Sequence, residues 1–187
     1  MRITLLGNCQ TKALAWYIQQ LNSSFDVRWV CIERFLLTHW GPSPKFEGRS
    51  INVITDTQKA IKTLKSSDYV IFQPLKTETS ENYNLVELKK HVSKGKLIST
   101  SSMFYQPKDP EQKLLNGMIE RAEKHNIDIP AHKIIEKHGP KITMITKNHP
   151  EVFYFLELVR EICAKTGWNY YSEEQHNQYL KEGYPFG

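Results

Sequence analysis

Five short apolar runs, each handing over to residues with helical spacing, decide what this chain can become. They are residues 2–6 (RITLL), 27–32 (VRWVCI), 68–73 (DYVIFQ), 96–100 (KLIST) and 141–146 (KITMIT). After Thr11 the spacing changes, with Leu14, Tyr17, Ile18 and Leu21 on one face, and further helices are expected over 57–65, 82–94, 110–125 and 151–165. Strands that read as nearly unbroken apolar runs are covered on both faces, and their alternation with helices gives a parallel sheet. The expected fold is α/β, three layers (α/β/α) around a roughly five-stranded parallel sheet in the flavodoxin-like order 2-1-3-4-5. Pro74 stops the third strand, Gly95 the helix over 82–94, and Gly167 the last helix. Residues 33–50 are irregular, aromatic and rich in Gly and Pro, and read as an ordered loop. A single domain is expected over 1–167, with an aromatic, polar tail over 168–187 packed on or near it.

A length of 187 residues is enough for one sizeable core. The charge of +5 and pI near 9.0 favour an anionic ligand. Lys and Arg are spread along the chain, however, without the stripe that marks a nucleic-acid binder, so a phosphate-bearing small molecule is as good a partner as any polynucleotide and nucleic acid is not expected. No apolar run approaches the ~18–20 residues that span a bilayer. The N-terminal apolar stretch is too short for a secretory signal. Three cysteines, Cys9, Cys31 and Cys163, share no short spacing, which argues against a disulfide framework or a zinc site. A reducing cytoplasm is the expected location, and no metal is expected.

In a doubly wound sheet, ligands bind beyond the carboxyl ends of the strands. Four candidate elements fall there: Gly7-Asn8-Cys9-Gln10, Gln73-Pro74, Ser101-Ser102 and Asn148-His149-Pro150. Cys9 stands where a helix begins, and unpaired N–H groups with the helix dipole favour an anion, hence a thiolate nucleophile. The other reading makes Cys9 a small residue filling a tight turn. His149 precedes Pro150, which is expected at the first helical position, and suits a general base facing the cleft. Gln73 ends an apolar strand and reads equally as a donor to an oxyanion or substrate and as a backbone cap. His125, His132 and His138 match no metal spacing and read as solvated.

The GxCQ turn at Gly7-Asn8-Cys9-Gln10, the strand end Phe72-Gln73-Pro74 and the Asn148-His149-Pro150 ahead of the last helix together resemble the WcbI-type polysaccharide-biosynthesis family. The likeness extends over about residues 1–166. It implies an SGNH (GDSL) hydrolase-like fold with Cys replacing the nucleophilic Ser, coenzyme A or acetyl-coenzyme A as cofactor, and acetyl transfer to a sugar in capsule or surface-polysaccharide synthesis. Cys9 would then match the nucleophile and His149 its base. The chain departs from the SGNH pattern at Thr146, where that fold places an Asp three residues before its His, and the Asn of the third SGNH block has no clear match. A Cys9–His149 dyad is therefore expected rather than a triad.

The function these residues and the resemblance imply is acyl transfer from acetyl-coenzyme A to a carbohydrate hydroxyl. The Cys9 or Gln10 backbone N–H would hold the oxyanion, with Gly7, Asn8, Gln73, Ser101, Ser102 and Asn148 lining the substrate. Lys12 and Lys76 are assigned by position to cofactor phosphates. Two alternatives share the same cleft: a thiol-dependent esterase or deacetylase, and a non-catalytic nucleotide- or sugar-binding module.

Overall fold

The computed structural model describes residues 1–31, 52–54, 57–74, 92, 96–103, 111–139, 144–146 and 149–183. The expected loop over 33–50, the expected helix over 82–94 apart from Val92, Lys76 and Asn148 lie outside them. The chain divides into compact units at Met1–Ser99 and Thr100–Tyr184, a division that falls inside the span expected as one domain.

In the first unit, β1 (Arg2–Gly7) lies at the centre of the sheet. It pairs in parallel with β2 (Asp26–Cys31) on one side, Leu5 opposite Trp29. On the other side it pairs with β4 (Tyr69–Phe72), Leu5 opposite Ile71. Outside these lie β3 (Asn52–Ile54) beside β2 and β5 (Leu97–Ser99) beside β4. Side chains alternate between faces along each strand. Leu6, Val30, Val70 and Phe72 point to one face and pack with Ala60 and Leu64 of α2 (Thr57–Lys65). Trp29 points to the other face and reaches α1 (Cys9–Leu21). The result is three layers, α1, sheet, α2, with Ile3, Leu5 and Leu6 fully buried as the apolar pattern required. At the opposite edge of the strands, Asp26 accepts hydrogen bonds from Arg2 at 2.8 Å and Arg28 at 2.9 Å, which ties the starts of β1 and β2.

The parallel α/β class agrees with expectation, and the order β3-β2-β1-β4-β5 keeps the first four expected strands in their expected arrangement, with β3 added outside β2. The strand that the sequence pattern missed is β3. It is only three residues long and begins with Asn52, so no apolar run announces it. The run at 141–146, expected as the fifth strand, is described only over 144–146, and these residues belong to a separate two-stranded sheet. Its described part, β6 (Met144–Thr146), pairs antiparallel with β7 (His149–Pro150). Only two residues separate Thr146 from His149, which suits a hairpin and is far too short for a crossover.

Apart from that hairpin and an isolated bridge between Thr100 and Ile129, the described secondary structure of the second unit is helical. It contains α3 (Glu111–His125), α4 (Ala131–His138), α5 (Val152–Thr166) and α6 (Glu173–Glu182). Helix α5 buries Tyr154, Phe155, Leu156, Leu158, Val159 and Ile162, apolar side chains on most of its circumference. Gly167 ends it in the left-handed conformation, φ 75°. At its start, Glu151 rather than Pro150 borders the helix, because Pro150 is held in the hairpin. Helix α4, not foreseen, begins directly after Pro130, and it alters the reading of His138. That ring is not solvated. It lies edge-on to Phe153 and within 2.7 Å of the buried Glu157 carboxylate, which also accepts from Arg160 Nε at 3.2 Å. The weakly helical tail forms α6, opened by a reciprocal capping box between Ser172 and Gln175. Tyr170 hydroxyl, 2.7 Å from His176 Nδ1, donates to Leu156 O at 3.2 Å and holds the tail's start on α5.

Candidate functional site

The crossover from β1 through α1 runs to β2 on one side, while β4 lies on the other side of β1. The topological switch point therefore opens between the carboxyl ends of β1 and β4, where a doubly wound sheet takes its ligand. Gly7 ends β1 there, and Gln73 follows β4, its backbone N–H donating to Leu6 O at 3.0 Å. Gly7 is required by close approach. A Cβ in its place would stand 2.6 Å from Thr11 Cγ2 and 3.1 Å from Gln73 Cβ.

Asn8 caps α1, its Oδ1 accepting from the Gln10 backbone N–H at 3.0 Å. The Asn8 carbonyl oxygen accepts from Thr11 N at 3.0 Å, Lys12 N at 3.3 Å and Thr11 Oγ1 at 2.7 Å. Cys9 is thus the first residue of the helix, 7% exposed and in no disulfide. The helix dipole favours negative charge at this position. Gln10 and Gln73 are both buried, and Gln73 Nε2 donates to Gln10 Oε1 at 3.3 Å. Gln73 therefore orients the side chain of Gln10 as well as bordering the switch point. Lys12 places its ammonium 5.7 Å from the centre of the Trp29 ring, a cation–π placement.

Gly7, Asn8, Cys9, Gln10, Lys12 and Gln73 are thus brought together in the first unit. Ser101, Ser102 and His149 belong to the second. Ser101 N donates to Ile129 O at 3.3 Å and its carbonyl accepts from the buried Tyr154 hydroxyl at 3.4 Å, so its backbone is held as part of that unit's framework. His149 pairs through its backbone with Thr146. Gln10, expected as an oxyanion donor through its backbone, already gives that N–H to Asn8. Cys163 is a different kind of thiol: burial pushes its pKa up to about 11, which keeps it protonated and inert.

Two residues of this site escaped the sequence pattern. Thr11 reads only as a polar residue at the start of a helix, and Trp29 only as core. Yet Trp29 Nε1 donates to Thr11 Oγ1 at 3.0 Å, across 18 residues of sequence. Among the described residues, no group of three or more His, Cys, Asp and Glu side chains could hold a metal ion. Among them, too, no helix is long and apolar enough to cross a membrane.

No protein-family model matches this chain, and no curated protein matches it. Among solved structures it is similar to an imine reductase of Myxococcus stipitatus, V8 variant, in complex with NAD+. The two superpose with a TM-score of 0.37 at 17% identity, over 68% of this chain and 38% of that one.

Proposed function

We propose that Cys9 is the nucleophile of an acyl transfer, passing acetyl from acetyl-coenzyme A to a carbohydrate hydroxyl in the cytoplasm, as part of capsular or surface-polysaccharide synthesis. The observation that carries this reading is the position of Cys9. It is the first residue of α1, on a turn locked by Gly7 and Asn8, at the switch point between β1 and β4. The donor, the sugar and the pathway rest on the resemblance of the three short motifs to the WcbI-type family.

In the first half-reaction the Cys9 thiolate attacks the thioester carbonyl carbon and a sulfur–carbon bond forms. The Cys9 N–H stabilises the oxyanion, whose collapse breaks the bond to the coenzyme A sulfur, which departs with the electron pair. In the second, a general base, a role that the resemblance assigns to His149, takes the proton of the acceptor hydroxyl. The hydroxyl oxygen bonds to the acyl carbon and the Cys9 sulfur leaves as thiolate.

One feature favours this chemistry over a dinucleotide-binding module. The first βα turn of a dinucleotide fold carries G-x-G-x-x-G, whose second Gly lets the backbone approach the pyrophosphate. Here that turn reads Gly7-Asn8-Cys9-Gln10-Thr11-Lys12, so a thiol side chain and a lysine occupy the second and third glycine positions.

Intact-mass measurement after incubation with acetyl-coenzyme A tests the reading. One acetyl group should add to the wild type, map to the Cys9 peptide and vanish in Cys9→Ala. His149→Ala should accumulate the acetylated form without passing it on. A wild type that gains no mass, or an adduct that persists in Cys9→Ala, would overturn the assignment. Loss of the acetyl group to water as fast as to any added sugar would turn it into a thiol esterase.

A further inference from the structure

We propose that His176 is the proton-sensitive part of a latch that holds α6 and the segment leading into it against α5, and that acid releases them. The segment is held at Tyr170, whose hydroxyl donates to Leu156 O at 3.2 Å and stands 2.7 Å from His176 Nδ1. A hydroxyl has one proton to give, and Leu156 O takes it. Nδ1 is then the donor toward Tyr170 and carries the hydrogen of the neutral ring. The proton that acid adds therefore goes to Nε2. It leaves this hydrogen bond in place and changes only the charge.

That charge would arrive beside another of the same sign. Arg160 of α5 lays its guanidinium 4.5 Å from the centre of the Tyr170 ring, and the centre of the His176 ring lies 5.9 Å from that same point. Arg160 is fixed there by its Nε, which donates to Glu157 Oε1 at 3.2 Å. Glu157 is 3% exposed and has His138 Nε2 of α4 within 2.7 Å of its other oxygen, so one buried carboxylate serves neighbours on two sides. Glu173, in the first turn of α6, is the second carboxylate that acts on the ring. Partial burial and Arg160 oppose a charged His176, while Glu157 and Glu173 favour it, and the balance holds its pKa below the ordinary 6.5. Burial pushes the Tyr170 hydroxyl up to about 12, so Tyr170 keeps its proton throughout. Undocked, the imidazole returns to its ordinary value. Docking is therefore strongest above about pH 6.5 and weakens as pH falls through the docked value. Release would uncover Tyr171 and Tyr179, buried rings 5.0 Å apart.

Hydrogen exchange of the full chain, read by mass spectrometry between about pH 8 and about pH 5 and corrected for the intrinsic pH dependence of amide exchange, tests the latch. Opening of α6 should rise at least about twofold toward acid, while the middle of α5 stays protected. His176→Asn sets an amide donor where Nδ1–H stood and carries no charge at any pH, so its opening should be flat across the range. Arg160→Gln removes the opposing cation. It should shrink the acid response and raise the midpoint of the His176 imidazole signal in an NMR titration. If His176→Asn loses protection at every pH, the comparison of Arg160→Gln with the wild type decides alone. A wild-type His176 midpoint at or above 6.5 would overturn the inference. So would an acid response that persists in a docked His176→Asn, or one that Arg160→Gln leaves unmoved. None of these outcomes bears on Cys9.

Discussion

Gly7 and Gly117 are chemically identical, and their surroundings give them opposite sensitivities. A methyl at Gly7 would meet Thr11, a β-branched residue held by two hydrogen bonds that cannot swing away. Gly7→Ala should cost about 1–3 kcal/mol, as overpacking does, and displace the Cys9 turn. Gly117 lies inside α3 with nothing within 4 Å of its added Cβ, so Gly117→Ala should stabilise by about 0.5–1 kcal/mol. Paired thermal melts of the two variants check both signs. Cys9→Ser should lower acetylation by orders of magnitude while Tm stays near that of the wild type, because serine depends wholly on a base for activation. A fall in stability of about 1–3 kcal/mol with acetylation intact would instead mark Cys9 as packing whose buried hydroxyl replacement finds no partner. The sequence showed Gly7, Asn8, Cys9 and Gln10 as a unit because a turn is local. It could not show Thr11 with Trp29, since a bond across 18 residues leaves no periodic trace.

The first helix depends on its opening residue. Asn8 satisfies the Gln10 N–H through its side chain and gathers three donors on its carbonyl. Asn8→Ala should destabilise by about 1 kcal/mol, and Asn8→Asp, which keeps the acceptor, by much less. Urea titrations of the two would show it, and equal losses would mean that the cap contributes little. The same scale explains which elements were legible. The strands β1, β2 and β4 and the helices α1, α3 and α5 carry enough apolar side chains to show a period. Strand β3 and helix α4 are too short for that, and tertiary pairing decides them. The run ending at Thr146 has strand composition, but composition does not choose a partner, and the two-residue link to His149 sends it into a hairpin.

Across the whole molecule, acid should loosen the edge of the sheet opposite the nucleophile turn. Hydrogen bonds from Arg28, with a further contribution from Arg2, hold the Asp26 pKa below its ordinary 3.8, against the partial burial that raises it. A carboxyl depressed in the folded state adds stability above its unfolded value and loses it as pH falls through the folded one. Both partners are partly exposed, so the contribution is no more than about 1 kcal/mol. Asp26→Asn should melt slightly lower than the wild type at pH 7, and the gap should close below about pH 4. A gap that persists undiminished in acid would assign the loss to packing. The parallel sheet was legible at this scale from alternation alone. So was the arrangement of β2, β1, β4 and β5; the outer neighbour of β2 was not, because that strand has only three residues.

The two bonds that brace the nucleophile turn differ in when they can form. Thr11 and Trp29 are 18 residues apart, within one βαβ crossover, whereas Gln10 and Gln73 are 63 apart. Closing the longer loop costs about 1 kcal/mol more in chain entropy, which favours the crossover as an early event in the folding reaction and Gln73 as a late arrival. In a denaturant-dependent kinetic series, Thr11→Val should therefore slow refolding. Gln73→Leu should leave the refolding arm in place and quicken unfolding. The turn that carries Cys9 would then be shaped before the strand that completes its surroundings has docked.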